Sequence, residues 1–353
     1  MLLSGYERRI AVTGGAGFIG SNLLLRLVSK YPDYGFVNID CLTYAGNLAN
    51  LRQIERAPSY RFEKVDICDP ASLRALFEKY AFTDVIHLAA ETHVDRSIIG
   101  PAAFIQTNIV GTFNLLEMVR ERSSKTGRMR FVYVSTDEVY GSDGESGRFV
   151  ETSPFRPSSP YAASKAAADN LVSAYHRTYG VDTVVARCCN CYGPYQFPEK
   201  LIPLMILNSI AGKELPIYGD GQQIRDWLHV SDCCNVLDLL LHRGRVGTTY
   251  NVAANVELPN VELVTRLCRL IDREQGGGQT ESLIKYVSDR PGHDRRYALD
   301  CSQLRDELGW SPGLSLDEGL MRTVKWYLEN QDWLTACASG EYQKYYERMY
   351  ADR

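Results

Sequence analysis

Tyr161 and Lys165 stand four residues apart, a spacing that puts both on one face of a helix. A lysine ammonium near a phenol stabilises phenolate and lowers the tyrosine pKa, so the pair can take a proton from a hydroxyl as general base. If the hydroxyl's carbon also gives up hydride, a nicotinamide cofactor must lie close by, and a second motif offers the place for one. Thr13-Gly14-Gly15-Ala16-Gly17-Phe18-Ile19-Gly20 contains both Gly14-x-x-Gly17-x-x-Gly20 and Gly15-x-Gly17-x-x-Gly20. Glycines so spaced turn the chain tightly after a strand and let backbone approach a pyrophosphate at the next helix N-terminus. Asp40 follows 20 residues after Gly20 and ends the next apolar run, where a carboxylate can accept hydrogen bonds from an adenosine ribose. Cys41 comes next, not an arginine that would pair with a 2′-phosphate, which favours NAD over NADP. Alone, the glycines fit a plain turn and the Tyr–Lys pair a surface pair; together they point to oxidation with NAD.

Thr136-Asp137-Glu138 is the third constellation, directly after the apolar run 131–135. Adjacent acids usually sit in exposed loops, but the carboxyl end of a strand is where open α/β sheets bind ligands. Consecutive strand residues point to opposite faces, so both carboxyls reach one ligand only if the chain is already turning.

These residues need a scaffold, and the hydrophobic pattern supplies it. The runs 10–13, 36–40, 85–90 and 131–135 are apolar on both faces, as buried strands are. Between them lie helical patterns over 22–30, 70–80 and 107–122, followed by a longer one over 160–179 that starts at Pro160. The alternation predicts an α/β fold: an NAD-binding Rossmann-type doubly wound parallel sheet with a smaller C-terminal α/β substrate lobe. The expected division is 1–187 for the NAD-binding domain, with late strands near 226–255 returning to it, and 188–353 mainly for the substrate lobe.

Of 353 residues, 45% are hydrophobic and 23% charged, as in a folded globular chain, and the net charge of -4 offers no general field for nucleic acid. No apolar run approaches a membrane span, and the first residues lack the core of a signal peptide. Ten cysteines without such a signal suggest reduced thiols in a cytoplasm. Cys188-x-x-Cys191 and Cys233-Cys234 lack the second spaced pair of a zinc site, so no metal is expected and the thiols read as small buried residues. His87 reads as a satisfied core histidine, and Tyr342, Tyr345, Tyr346 and Tyr350 as the apolar face of a C-terminal helix.

Gly14 to Gly20, Tyr161/Lys165 and Ser135-Thr136 resemble the extended short-chain dehydrogenase/reductase family, whose members act on nucleotide sugars. Within it, Thr136-Asp137-Glu138-Val139-Tyr140-Gly141 is similar to the signature of the dTDP-glucose 4,6-dehydratases. Further similar segments include Leu42-Thr43-Tyr44-Ala45-Gly46-Asn47, His93-Val94-Asp95-Arg96-Ser97, Tyr192-Gly193-Pro194-Tyr195, Gln223-Ile224-Arg225-Asp226-Trp227 and Asp289-Arg290-Pro291-Gly292-His293-Asp294-Arg295-Arg296-Tyr297.

The resemblance implies conversion of dTDP-glucose to dTDP-4-keto-6-deoxyglucose, with oxidation at carbon 4, loss of water across carbons 5 and 6, and hydride return to carbon 6. It assigns Tyr161, Lys165 and Thr136 to the first step, Glu138 as the base at carbon 5 and Asp137 as the acid at carbon 6. It places Gly14, Gly17, Phe18, Ile19, Gly20, Asp40, Thr43, Asp66, Ile67, Leu88, Ala89, Ala90 and Thr107 at NAD. It places Thr92, Asn190, Lys200, Leu201, Pro216, Tyr218, Arg225, Asn260, Arg290 and His293 at the substrate. It implies a homodimer through helices near 101–122 and 160–179. Cys41 stands where a lysine is frequent, Cys191 where a second asparagine is, and Thr92 where serine is usual. For Asp137 to donate a proton it must be desolvated or have a like-charged neighbour, which Glu138 is. UDP-glucose as substrate remains open, as do a nucleotide-sugar 4-epimerase or decarboxylase, neither needing the Asp137 carboxyl, and a non-enzymatic NAD-binding sensor.

Overall fold

A computed structural model describes residues 3–142 and 147–338. Six strands come first: β1 (Arg8–Thr13), β2 (Tyr34–Asp40), β3 (Tyr60–Lys64), β4 (Asp84–His87), β5 (Arg130–Thr136) and β6 (Asp182–Cys188). Six more follow: β7 (Asn190–Tyr192), β8 (Leu215–Tyr218), β9 (Ile224–His229), β10 (Thr248–Val252), β11 (Glu257–Pro259) and β12 (Ile284–Val287). The main sheet has seven strands in the order β10-β6-β5-β4-β1-β2-β3, and every neighbouring pair is parallel. From β1 the chain moves outward to β3, then restarts at β4 on the other side. The order therefore reverses between β1 and β4, and a crevice opens at their carboxyl ends, where Gly14 and Leu88 stand.

Alternate strand residues feed two cores, one on each face of this sheet. Ile10, Val12, Ile86 and Val132 pack with Leu23 and Leu27 of the helix Phe18–Lys30 and with Leu237 and Leu240 of Val230–Arg243. Ala11, Val37, Val85 and Phe131 pack on the opposite face with Leu115 and Val172. Each buried Val, Leu, Ile or Phe among them is worth about 1.5–3 kcal/mol relative to an exposed one. A third core, with Met205, Leu215, Trp227, Leu267 and Leu320, underlies the small lobe, whose sheets run β11-β9-β7 and β12-β8. The late segment divides: β10 lies at the edge of the main sheet while β9 lies in the small lobe.

The helix Pro160–Tyr179 runs as the sequence predicts, with Ser159 accepting from the Ala162 N–H and Gly180 ending it in the left-handed region. The helical stretch expected at 107–122 is longer and interrupted, with a π-helical turn at Ile105–Gly111 before the regular helix Thr112–Thr126. Strand β4 stops at His87 instead of Ala90: the Leu88 N–H still reaches Thr13 O at 3.1 Å, but the Ala89 N–H turns to the Thr13 hydroxyl at 3.3 Å. His87 is fully buried between the Thr13 and Thr112 hydroxyls, 2.7 and 2.9 Å away, and burial holds its pKa well down. The tail tyrosines 342, 345, 346 and 350 lie outside the described residues. No described helix is long and apolar enough to cross a membrane.

Candidate active site

The crevice between β1 and β4 deepens into a cavity of about 350 Å³ lined from both lobes. At its floor Gly14 has φ +69, and a Cβ there would stand 2.6 Å from the Ala89 backbone nitrogen, so only glycine lets the two strand ends approach. Gly17 precedes the helix Phe18–Lys30, whose first turn carries neither a side-chain cap nor an acidic residue. Its free N–H groups and positive dipole end face the cavity, as a pyrophosphate requires. Asp40 holds the glycine turn, Oδ2 accepting from Ala16 N at 3.0 Å and Oδ1 from Leu42 N at 2.8 Å, with lone pairs left for a ribose. Phe18, Ile19, Gly20, Thr43, Asp66, Ile67, Leu88, Ala89, Ala90 and Thr107 line the same cavity, so the cofactor candidates converge on one site.

At the other end of the cavity β5 stops at Thr136, which caps a single 3₁₀ turn, Asp137–Tyr140. That turn answers the alternation problem. Residues about 120° apart around a 3₁₀ axis can both border one cavity, and Asp137 and Glu138 do. Asp137 is buried. Its Oδ1 accepts from the Thr136 hydroxyl at 3.1 Å, and its Oδ2 has no partner among the described residues. Burial, reinforced by the neighbouring Glu138 charge, raises its pKa to about 8. Burial also raises Glu138, but Arg290, Arg225 and Lys200 oppose that shift.

Tyr161 and Lys165 share the helix face, yet their electrostatics depart from the sequence reading. Burial and the Glu138 and Asp137 charges push the Tyr161 hydroxyl up, while a hydrogen bond with Thr136 opposes them. Burial pushes Lys165 down to about 7. The lysine does not lower the phenol because its Nζ donates to Val134 O at 2.7 Å and lies 4.3 Å from the Tyr133 ring centre.

Among the substrate candidates, Thr92, Thr136, Asn190 and Lys200 line the cavity, and Lys200 Nζ donates to Thr92 O at 2.8 Å. Leu201, Pro216, Tyr218, Arg225, Asn260, Arg290 and His293 do not line it; they belong to the small lobe. Leu201 opens the helix after Lys200, and Pro216 shares β8 with Tyr218. Tyr218 donates to Asp95 Oδ2 at 3.2 Å, and Arg290 Nη1 is 3.8 Å from Asp95 Oδ1. His293 meets the Tyr218 ring edge-on at 6.2 Å and bonds Asp289 at 2.6 Å. Arg225 is buried over the Tyr297 ring at 4.2 Å and donates to Asp294 O at 2.8 Å. Asn190 Oδ1, Asn260 Oδ1 and Arg290 Nε are buried without partners among the described residues, which fits a region built for a polar ligand.

The chain matches the model of the GDP-mannose 4,6 dehydratase family over residues 11–323. It belongs to that family. It is 52% identical over 340 residues to the dTDP-glucose 4,6-dehydratase of Xanthomonas campestris pv. campestris (strain B100), covering 94% of this chain and 96% of the relative. A crystal structure of a dTDP-glucose 4,6-dehydratase from Streptomyces venezuelae with NAD and TYD bound superposes with a TM-score of 0.87 at 46% identity, covering 93% of this chain and 99% of that one. One from Bacillus anthracis in complex with NAD gives 0.85 at 43%, covering 94% and 99%.

For a member of this family, residue-type reasoning passed over several groups at the site. Glu199 is buried on the cavity wall, taking hydrogen bonds from Tyr44 at 2.9 Å and Arg96 at 3.1 Å. Asp95 holds Arg290 and Tyr218, and Tyr297 supports Arg225. All three lie among or beside residues noted for their resemblance, but their roles depend on partners distant in the chain.

Proposed function

We propose that this chain dehydrates dTDP-glucose to dTDP-4-keto-6-deoxyglucose with NAD. The observation that carries the reading is Asp137, a carboxyl that keeps its proton near neutral pH, beside Glu138 and Tyr161 in one dinucleotide cleft. NAD, when bound, supplies the hydride acceptor and donor together with the positive charge of its oxidised ring. Tyr161 takes the proton of the carbon-4 hydroxyl as phenolate, with Thr136 bonded to its side chain; that form is favoured by the positive ring of bound NAD against the burial and carboxylate charges that raise the pKa. The new ketone acidifies carbon 5, and Glu138 removes that proton. Asp137 protonates the carbon-6 hydroxyl, which leaves as water. Gly14, Gly17 and Asp40 hold the dinucleotide, while Lys200, Arg225 and Arg290 neutralise the substrate diphosphate, a task suited to the arginine fork.

The active form is proposed to be a homodimer. Ile98, Ile99, Ile105 and Phe113, each 38–47% exposed along the helical stretch 94–126, support that reading. A monomer by light scattering at assay concentration would overturn it. The reaction is placed in a cytoplasm, a reading supported by ten free cysteines. The test of the activity is mass spectrometry of dTDP-glucose and UDP-glucose, each incubated with the protein in heavy water. Loss of water with deuterium at carbon 5 is the expected result, faster for dTDP-glucose. Faster UDP-glucose turnover would change the base, and epimerisation with no loss of water would overturn the dehydration.

A further inference from the structure

Cys188 closes β6, Cys191 lies in β7, and Cys233 stands in the first turn of the helix Val230–Arg243. The fold draws them together because β7 pairs in parallel with β9, and β9 runs directly into that helix. Cys233 Sγ lies 4.0 Å from Cys188 Sγ and is also hydrogen-bonded to Cys191. Cys188 and Cys191 form part of the cofactor cavity wall, with Cys233 fully buried behind them. The missing partner of the Cys-x-x-Cys pair is thus supplied by another element. No metal-holding group of three such residues occurs among the described residues, so the cluster's available chemistry is that of thiols.

We propose that this cluster is an oxidation site for small peroxides, closing a Cys188–Cys233 disulfide when the cleft holds no cofactor. Cys188 is the attacking sulfur because it faces the cavity. As thiolate it attacks one oxygen of hydrogen peroxide, the O–O bond breaks, the departing hydroxide takes up the proton the thiol had released and leaves as the first water, and sulfur becomes sulfenic acid. Cys233 then attacks that sulfur, the S–S bond forms, the S–O bond breaks, and a second water carries off the Cys233 proton. Two thiols lose the electron pair that the peroxide gains. The Cys233 hydrogen bond, burial and Asp137 push the Cys188 thiol up while Lys165 pulls it down, so the reaction is slow.

Closing the bond shortens the 4.0 Å gap by about 2 Å. Cys188 is the register partner of Thr136, so the movement reaches the strand end that carries Asp137. Turnover should fall about tenfold or more, as expected for a displaced catalytic group.

The test treats NAD-stripped and NAD-loaded protein with hydrogen peroxide, blocks remaining thiols, and maps peptides without reduction. A peptide pair joining Cys188 to Cys233 is expected from the stripped protein, absent from the loaded one, and reversed by dithiothreitol with recovery of turnover. Cys233→Ser and Cys233→Ala, each checked for native circular dichroism, should keep basal turnover and yield no cross-link. Absence of the cross-link from stripped protein, or linkage through other cysteines, overturns the site whatever the cofactor proves to be. Equal cross-linking with NAD present overturns the shielding alone.

Discussion

Replacing Asp137 by asparagine separates stability from catalysis, because one property of the carboxyl governs both. Its pKa rises from the ordinary 3.8 to about 8 on folding. Between those values the folded chain binds a proton that the unfolded chain has released. The stability of the natural protein therefore falls with rising pH, by about 1.4 kcal/mol per pH unit from this group, reaching about 4 kcal/mol at pH 7. Asparagine carries no such proton. Its Oδ1 can keep the Thr136 hydrogen bond, and its amide lacks a partner where Asp137 Oδ2 already does. Asp137→Asn should thus be more stable at pH 7 by a few kcal/mol, an advantage that disappears near pH 4. Urea unfolding of both proteins from pH 5 to pH 7.5 measures the difference directly, and it should widen by about 3 kcal/mol. The same variant mixed with dTDP-glucose should accumulate NADH while water loss slows by about 10²–10⁴-fold. Unfolding curves that stay parallel across pH would refute the raised pKa and remove the physical basis for Asp137 as acid.

Tyr161→Phe removes the proton acceptor at carbon 4, so NADH appearance should slow by about 10²–10⁴-fold; an unchanged rate would take Tyr161 out of the mechanism. Gly14→Ala places a Cβ 2.6 Å from the Ala89 nitrogen at φ +69, which should weaken NAD binding at least about tenfold by calorimetry. Wild-type affinity would show that the strand ends can part. Asp294 accepts from Ser158 and from Tyr297 at 2.5 Å while its backbone oxygen holds Arg225. Asp294→Ala should lower kcat/KM about tenfold with NAD affinity unchanged, and equal loss of both would make it a residue of general stability.

What the sequence reveals depends on how local the cause is. Strands β1, β2 and β5 are legible because burial on both faces leaves nearly unbroken apolar runs. Strand β3, Tyr60–Lys64, passes unnoticed because an edge strand alternates apolar with charged residues and lacks that signature. Pro160 and Gly180 bracket their helix by local backbone chemistry. The direction of the Lys165 side chain is not local. Its acceptor, Val134 O, lies 31 residues back on another element, so spacing shows the shared face but not the electrostatic outcome. The pairing of Arg290 with Asp95 and of Cys233 with Cys188 has the same nonlocal origin.

Two adjacent carboxyls can take opposite duties only if their surroundings differ, and here they do. Glu138 feels Arg290, Arg225 and Lys200, three cations from the small lobe that favour its charged form. At Asp137 the main opposing cation is Arg225, against burial and the like charges of Glu138 and Asp226. The difference follows from the single 3₁₀ turn after β5, which swings one residue toward the basic side of the cleft and leaves its neighbour over the buried strand end. Environment therefore favours the proton on Asp137 over Glu138, the order that removing a carbon-bound proton and expelling water requires. Charge reversal at a flanking cation tests that division: Arg290→Glu should raise the Glu138 pKa and move the acidic limb of the elimination rate to higher pH. An unmoved limb would mean that Glu138 is not the base that titrates there.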